Sequence, residues 1–214
     1  MGQYLNKAFI FDFDGTLVDS EKTIQECFQR ITRELAPDRI KYTKNILIGP
    51  PLRETASKIL GSNYQDQLDK FVKHFIEMHD DQATAHTKPY PKVNILLEKL
   101  SLMKIPMAIA TNKRKAPTIK LIEHFGWANY FYSIQCSDSQ LSVKNKSEMI
   151  QKIININNIF KNSYFLGDTV NDGLSANQNQ LNFIKARYGY GKGQDWSGVK
   201  IYKSIAEFAE LELI

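Results

Sequence analysis

The sequence has little cysteine and no long apolar run, and these absences exclude several classes of protein. Its 214 residues include 2 cysteines, too few for the disulfide framework of a small secreted domain. No apolar stretch approaches the roughly 20 residues of a membrane-spanning helix, and the first residues lack the basic-then-apolar layout of a signal peptide. We therefore expect a cytoplasmic protein without a membrane partner.

The positive charge of the chain is scattered. Lys and Arg number 28 against 23 Asp and Glu, a formal net charge of +5. No long block of like charges occurs, and the densest basic cluster is KRK at 113–115. A nucleic-acid-binding surface usually concentrates its Lys and Arg on one face, so we expect no nucleic-acid partner. The surplus is typical of a soluble protein, and it could also attract a small anionic substrate.

Residues 18–88 have the pattern of a helical unit. Apolar side chains recur there at the i, i+3, i+4, i+7 spacing of a helix face. One such face contains Ile24, Cys27, Phe28, Ile31 and Leu35. Ser20 or Asp19 is the predicted N-cap of that helix. Two prolines within 87–91 oppose both helix and central strand, so we interpret that stretch as a linker.

Helices and strands alternate from residue 92 onward. Apolar strands are predicted at 106–111, 132–136, 163–168 and 182–186, and a final helix at 204–211. With a first strand at 7–13, this alternation predicts an α/β fold, a doubly wound Rossmann-like parallel sheet with helices on both faces. Residues 1–17 and 89–214 then form an α/β core, and the all-helical unit 18–88 is inserted after the first strand.

Several reactive side chains follow the predicted strands. In an open parallel sheet, ligands bind beyond the carboxyl ends of the strands. We therefore expect one site that combines carboxylates, a hydroxyl and an ammonium group. Its predicted members are Asp12, Asp14, Thr111, Asp168, Asp172 and either Lys144 or Lys146.

This set of side chains indicates phosphoryl chemistry. Carboxylates gathered at one place repel one another and cannot all stay ionised without a cation. Oxygen ligands without Cys or His suit Mg²⁺, and Mg²⁺ beside Lys and Thr suits a phosphoryl group. A carboxylate there can form an aspartyl-phosphate. Asp12 and Asp14 start on one face of an extended segment, so one can attack while the other handles the proton.

Four short motifs carry a family resemblance. DFDGT at 12–16, IATN at 109–112, a lysine before a helix and GDTVND at 167–172 resemble the four motifs of the haloacid dehalogenase superfamily, in that order and over the whole chain. DGTLVDS, AIATNK and the closing YGYG…IYKSIAEF are similar to its phosphoglycolate-phosphatase-like branch. The resemblance implies a Mg²⁺-dependent phosphatase for a small phosphorylated metabolite, a phosphoglycolate-like phosphomonoester with phosphoglycolate itself as the first candidate. It also implies that 18–88 is a cap domain that closes over the substrate and excludes water.

The resemblance also implies a role for each motif residue. It makes Asp12 the nucleophile and Asp14 the general acid/base. Thr111 and the motif lysine would hold the phosphoryl group, and Asn112 would contact the substrate. The implied Mg²⁺ ligands are Asp12, the backbone carbonyl of Asp14 and Asp168, supported by Asp172.

A lysine and an arginine complete the predicted site. The usual Lys-Pro-x-Pro third motif is absent, and SVKNKSEMI at 142–150 offers Lys144 and Lys146 instead. We favour Lys146, because KSEMI resembles the lysine-x-Glu form of some relatives and a helix is predicted from Ser147. Arg53 follows GPPL, and it either reaches the substrate from the cap or is a solvated helix residue.

Other polar features are not assigned to this site. GYGKG at 189–193 lacks the Gly-x-Gly-x-x-Gly spacing of a nucleotide-binding loop, so we expect a flexible turn. The four histidines are unclustered, and we expect surface or core positions for them rather than a metal site. They are His74, His79, His86 and His124.

Four alternatives compete with the phosphatase. Dehalogenases of the superfamily generally lack the second aspartate, and the presence of Asp14 therefore favours phosphate transfer. A phosphomutase or a pyrophosphatase on the same scaffold stays open. So does a binding or regulatory module that retains the fold, although such a module would be expected to have lost Asp12, Asp14 or Asp168.

Overall fold

A six-stranded parallel sheet forms the centre of the molecule. The computed structural model describes residues 7–44, 46–139, 145–157 and 163–211. The strands are β1 (Phe9–Phe11), β2 (Val18–Asp19), β3 (Lys88–Pro89), β4 (Met107–Thr111), β5 (Phe131–Cys136), β6 (Tyr164–Gly167), β7 (Asn182–Ala186) and β8 (Lys203–Ile205). The sheet has the order β5-β4-β1-β6-β7-β8, and all its pairs are parallel. The predicted parallel sheet is confirmed.

Helices cover both faces of this sheet. They are α1 (Glu21–Leu35), α2 (Leu52–Leu60), α3 (Leu68–Gln82), α4 (Val93–Leu102), α5 (Lys115–His124), α6 (Lys146–Asn157) and α7 (Val170–Gln178), with short 3-10 helices at Pro37–Thr43, Ser62–Gln67 and Phe208–Glu210. Alternate residues of β1 point to opposite faces. Phe9 and Phe11 belong to the apolar cluster that contains α4 and α5 side chains, whereas Ile10 belongs to the cluster that contains those of α6 and α7. Within the described ranges, no helix reaches the length and hydropathy that a membrane span needs.

The section from α1 to α3 has an apolar cluster of its own. The predicted face of α1 is buried at four of its five positions, and Leu35 is partly buried. Phe28 on this face contacts two aromatic rings of α3, Phe71 at 6.0 Å and Phe75 at 4.5 Å between ring centres. α1 ends at Leu35, and one residue, Ala36, separates it from the 3-10 helix that begins with Pro37. The division of the chain into two domains stays a prediction.

Two stretches differ from the sequence-based expectation. The linker at 87–91 contains β3, which pairs antiparallel with β2, so that Val18 faces Pro89 and Asp19 faces Lys88. The predicted final helix is wrong, because Lys203–Ile205 extends the sheet beside β7 and only Phe208–Glu210 is helical. Ile205, Phe208 and Leu211 are all buried, and their spacing of three residues resembles a helix face although a strand end and a 3-10 turn produce it.

Candidate active site

Three neighbouring strands end at the same edge of the sheet. β1 lies between β4 and β6, and Phe11 faces Ile109 on one side and Leu166 on the other. The residues that follow this row are therefore brought together at the carboxyl end. Asp12, Thr111 and Asp168 occupy this edge, and all three are buried.

Three buried carboxylates meet there with one lysine. Asp12, Asp168 and Asp172 each place an oxygen within 4.8 Å of the others. Lys146 Nζ donates to Asp12 Oδ1 at 2.7 Å and to Asp172 Oδ1 at 2.5 Å. Lys146, the favoured motif lysine, thus reaches the acidic cluster, whereas Lys144 lies outside the described residues.

The electrostatics of this cluster favour a bound cation. Burial raises the pKa of Asp12 from 3.8 to about 7 against the lowering attraction of Lys146, and the negative charge of Asp172 adds a smaller raising effect. Burial and the neighbouring carboxylates raise the pKa of Asp168 well above 3.8. Burial alone would lower the pKa of Lys146, but Asp12 and Asp172 raise it above its usual value. Three carboxylates against one ammonium leave negative charge uncompensated, and oxygen donors of this kind fit a hard divalent cation.

Asp172 joins the cluster to the start of α7. Its Oδ2 accepts hydrogen bonds from Thr169 N at 2.8 Å and Thr169 Oγ1 at 2.6 Å, and from Asp168 N at 3.2 Å. Thr169 is the N-cap of α7 and Asp172 its third residue, so the two form a capping box. With Oδ1 bonded to Lys146, both oxygens of Asp172 have a fixed direction.

Asp168 is held by the first motif and by the GYGKG loop. Its Oδ1 accepts from Thr16 Oγ1 at 3.1 Å, and its Oδ2 accepts from Tyr190 N at 2.6 Å. The loop packs so closely that a Cβ on Gly189 would lie 2.3 Å from Asp168 Cβ. A Cβ on Gly15, which has a φ of +83°, would lie 2.4 Å from Asp168 Oδ2. The loop expected as a flexible turn therefore positions a carboxylate, and glycine is required where it does so.

Asp14 is bonded to a lysine that the sequence analysis did not assign to the site. Lys113 Nζ lies 3.1 and 3.2 Å from the two oxygens of Asp14, and the lysine side chain is 4% exposed. Ser20, at the N-cap position of α1, donates its hydroxyl to Asp14 Oδ1 at 2.6 Å. Lys113 N also donates to Thr111 Oγ1 at 3.1 Å. The available signal was the position of Lys113 two residues beyond Thr111, which sequence analysis treated only as part of a basic cluster.

A histidine of α3 approaches the same lysine. His79 is buried, its Nε2 lies 3.3 Å from Lys113 Nζ, and its ring stacks on Phe75 with 5.4 Å between centres. Burial, followed by the charge of Lys113, lowers the pKa of His79 below its usual 6.5. His79 is a core residue as expected, but it also lines the cavity over the site.

One cavity brings most of the predicted side chains together. It lies between the helical section and the strand ends, and five predicted site residues line it. They are Asp12, Asp14, Thr111, Asn112 and Lys146. Asn112 Nδ2 donates to the carbonyl oxygen of Gly49 at 2.7 Å, so this residue also joins the strand-end loop to the segment before α2. Asp168 and Asp172 are not among the lining residues and lie behind Asp12.

Arg53 is not brought to this cavity. Its Nη2 lies 2.7 Å from Asp69 Oδ1, the two side chains are 61% and 84% exposed, and Arg53 is not one of the lining residues. α2 buries Thr55 and Ala56 and leaves Arg53 on the solvent side. The structure thus agrees with the reading of Arg53 as a solvated helix residue.

Comparison with known proteins connects this geometry to a family. A model of haloacid dehalogenase-like hydrolases matches residues 9–186. The chain is 26% identical over 216 residues to a phosphoglycolate phosphatase of Psychrobacter arcticus, covering 96% of this chain and 94% of that protein. It is 25% identical over 175 residues to the pyrophosphatase PpaX of Listeria welshimeri, covering 80% and 78%.

A solved structure shows the same fold. A haloacid dehalogenase-like hydrolase from Streptococcus pneumoniae superposes with a TM-score of 0.82 at 23% identity, covering 96% of both chains. All four motifs of the sequence analysis lie inside the range that the family model matches. The chain belongs to the haloacid dehalogenase-like hydrolase family.

Proposed function

We propose that this protein is a Mg²⁺-dependent phosphatase that hydrolyses a small phosphorylated metabolite through an aspartyl-phosphate. The observation that carries the proposal is the meeting of Asp12, Lys146 and two further carboxylates at the end of a cavity that Asp14 and Thr111 also line. The family supports hydrolysis, and the name of the Psychrobacter relative supports a phosphomonoester as substrate.

Asp12 and Asp14 divide the covalent step and the proton transfers. A carboxylate oxygen of Asp12 attacks phosphorus, and the bond from phosphorus to the alcohol oxygen breaks. Asp14 donates a proton to the departing alkoxide. Water then attacks the aspartyl-phosphate, Asp14 takes a proton from that water, and the bond between Asp12 and phosphorus breaks. The products are the alcohol and inorganic phosphate.

Three groups are assigned to the phosphoryl oxygens. The ammonium of Lys146, which lies beside Asp12, neutralises charge on the transferred group. The hydroxyl of Thr111 accepts from Lys113 N in the structure and donates its own proton to a phosphoryl oxygen in the proposed complex. Mg²⁺, when held by Asp12, Asp168 and the Asp14 carbonyl with support from Asp172, supplies further charge neutralisation.

The helical section acts as the cap in this proposal. Its contacts with α5 and with the residue before it support that role, because Asp80 and Arg114 line the cavity. Arg114 Nη1 donates to Asp80 Oδ2 at 2.7 Å, and Lys120 Nζ donates to the carbonyl oxygen of Asp80 at 2.9 Å, near the end of α3. The proposed cap excludes water from the reacting phosphoryl group while the first step proceeds.

The test is phosphate release from a panel of phosphorylated small molecules, measured with Mg²⁺ and with EDTA. We expect release with Mg²⁺ only, and a loss of at least about 10³-fold in kcat for Asp12→Asn. Asp69→Asn, a change of the same kind at an exposed aspartate, is the control and keeps full activity. Full activity in Asp12→Asn would show that another group is the nucleophile.

Pyrophosphate hydrolysis is a second candidate, favoured by the match to the Listeria pyrophosphatase. The two functions differ in the leaving group, which is an alcohol in one case and a phosphate in the other. Including inorganic pyrophosphate in the same panel separates them. A kcat/KM for pyrophosphate that exceeds those for all phosphomonoesters would favour the second candidate.

A further inference from the structure

The helical section contributes mostly apolar side chains to the cavity. They come from α1, from the segment before α2 and from α3. The six that matter here are Ile24, Phe28, Leu47, Ile48, Phe75 and Ile76. In the proposed phosphatase, the phosphoryl group lies at the strand ends, so the alcohol part of the substrate is the part that meets this apolar wall.

The cations that line the cavity, within the described ranges, are each bonded to a carboxylate already. Lys146 is bonded to Asp12 and Asp172, and Lys113 to Asp14. Arg114 lies 2.7 Å from Asp80 and 3.6 Å from Asp138. A second anionic group on a substrate would have to displace one of these carboxylates.

The remaining polar groups on the helical side do not supply a positive charge. Burial keeps the pKa of His79 below 6.5, so its ring is neutral at pH 7. Thr55 is uncharged, and Arg53 is directed to solvent and paired with Asp69. Because a buried charge without a partner is costly, this wall disfavours a carboxylate or a second phosphate.

We infer that the enzyme selects phosphomonoesters whose alcohol part is uncharged and apolar, and that phosphoglycolate is a poor substrate. The inference rests on the proposed phosphatase function and deepens it. The inferred preference differs from the activity in the name of the Psychrobacter relative, because the alcohol part of phosphoglycolate carries a carboxylate. It also disfavours pyrophosphate, whose leaving group is anionic.

Three esters of similar size test the inference. They are 2-phosphoglycolate, its neutral amide, and isobutyl phosphate, in which a branched alkyl group replaces the carboxylate. We expect kcat/KM to rise in that order, with isobutyl phosphate at least about tenfold above phosphoglycolate. The amide separates the effect of charge from that of polarity.

A variant of the apolar wall provides the second arm of the test. Leu47 lines the cavity and is 45% exposed, so Leu47→Arg can be accommodated. It should raise kcat/KM for phosphoglycolate relative to isobutyl phosphate by about tenfold. Leu102→Arg is the matched control, because Leu102 is exposed on α4 and is not one of the lining residues.

Each contrary result has a distinct meaning. A wild-type kcat/KM for phosphoglycolate that equals or exceeds that for isobutyl phosphate overturns the inference. An equal shift in both arginine variants also overturns it, because net charge rather than the apolar wall would then set the preference. If none of the three esters releases phosphate but another ester of the panel does, the inference is overturned while the phosphatase function stands. No release from the whole panel contradicts the phosphatase function itself, and the inference fails with it.

Discussion

The two walls of the cavity are built on different principles. At the strand ends the side chains are charged, buried and bonded to one another, as in the contacts among Asp12, Lys146 and Asp172. On the helical side the walls are apolar side chains such as Phe28 and Phe75. In the proposed phosphatase, the comparison assigns the chemistry of the phosphoryl group to the sheet and the choice of the alcohol to the helices.

The two walls also differ in how firmly they are positioned. Asp12 and Asp168 follow β1 and β6 directly, and the register of these strands determines the distance between them. The helical wall is assembled from α1, α3 and the segment before α2, which meet through apolar packing. Apolar packing tolerates substitutions of similar volume, whereas a network of buried charges does not. Changes at the strand ends should therefore have larger effects than changes on the helical side.

The largest effect on stability is expected for Lys146→Met. The substitution leaves Asp12, Asp168 and Asp172 buried together without their ammonium, and breaking a buried pair costs about 3–5 kcal/mol. We expect the free energy of unfolding in urea to fall by this amount without Mg²⁺ and by less with Mg²⁺. Lys152→Met, on the same helix, is the control. Equal losses for the two variants would contradict a special role of the lysine at the strand ends.

A smaller effect is expected from the metal ion. Mg²⁺ that binds only the folded protein should stabilise it by about 2.7 kcal/mol at 100 times its Kd. The gain should shrink as the pH falls below about 7, because the raised pKa of Asp12 means that its carboxyl takes up a proton there and competes with the metal.

Thermal unfolding of the wild type and of Asp168→Asn, with and without Mg²⁺, measures this effect. Stabilisation by Mg²⁺ should disappear in the variant, whereas Asp195→Asn, at a carboxylate outside the cluster, should keep it. Equal stabilisation of wild type and Asp168→Asn would show that the metal binds at a place other than the strand ends.

Lys113→Met tests the contact between the two walls. Lys113 bonds Asp14 from the sheet side and meets His79 from the helical side. We expect kcat to fall by about 10- to 100-fold, less than the loss of a general acid itself, with little change in KM. Lys113→Arg should recover part of kcat, because it keeps a cation beside Asp14. A rise in KM at constant kcat would instead assign Lys113 to substrate binding.

The smallest effect is expected for Arg53→Ala on the solvent side of the helical section. The exposed pair with Asp69 should contribute no more than about 1 kcal/mol to stability. Steady-state kinetics should show kcat/KM within about twofold of the wild type. A tenfold rise in KM would show that Arg53 reaches the substrate after all and that the apolar wall is incomplete without it.

The site could be predicted from sequence where its residues follow strands directly. Asp12, Thr111 and Asp168 each stand at the end of an apolar run, and parallel strands bring their ends to one edge. Lys146 could be placed because it stands directly before the helix predicted from Ser147, and it is the first residue of α6. The apolar periodicity of α1 and α3 also predicted the helical section, since both helices bury one face.

Contacts between distant segments could not be predicted in this way. The meeting of Lys113 with Asp14 and His79 spans 99 and 34 residues of chain. The pairing of β2 with β3 involves strands of two residues each, too short to give a periodic signal. The turn at Phe208–Glu210 was mistaken for part of a longer helix. Apolar residues three positions apart occur both on a helix face and where a strand is followed by a 3-10 turn.

The sequence by itself determined which reactive side chains follow the strands of an α/β sheet: the carboxylates, the threonine and the lysine. The tertiary structure alone decided which groups orient them and which side chains line the cavity beside them. The residues at a strand end are neighbours in the sequence, so a short motif is enough to predict them. In contrast, the packing of the Gly189 loop on Asp168 and the outward direction of Arg53 depend on how separate elements pack in space.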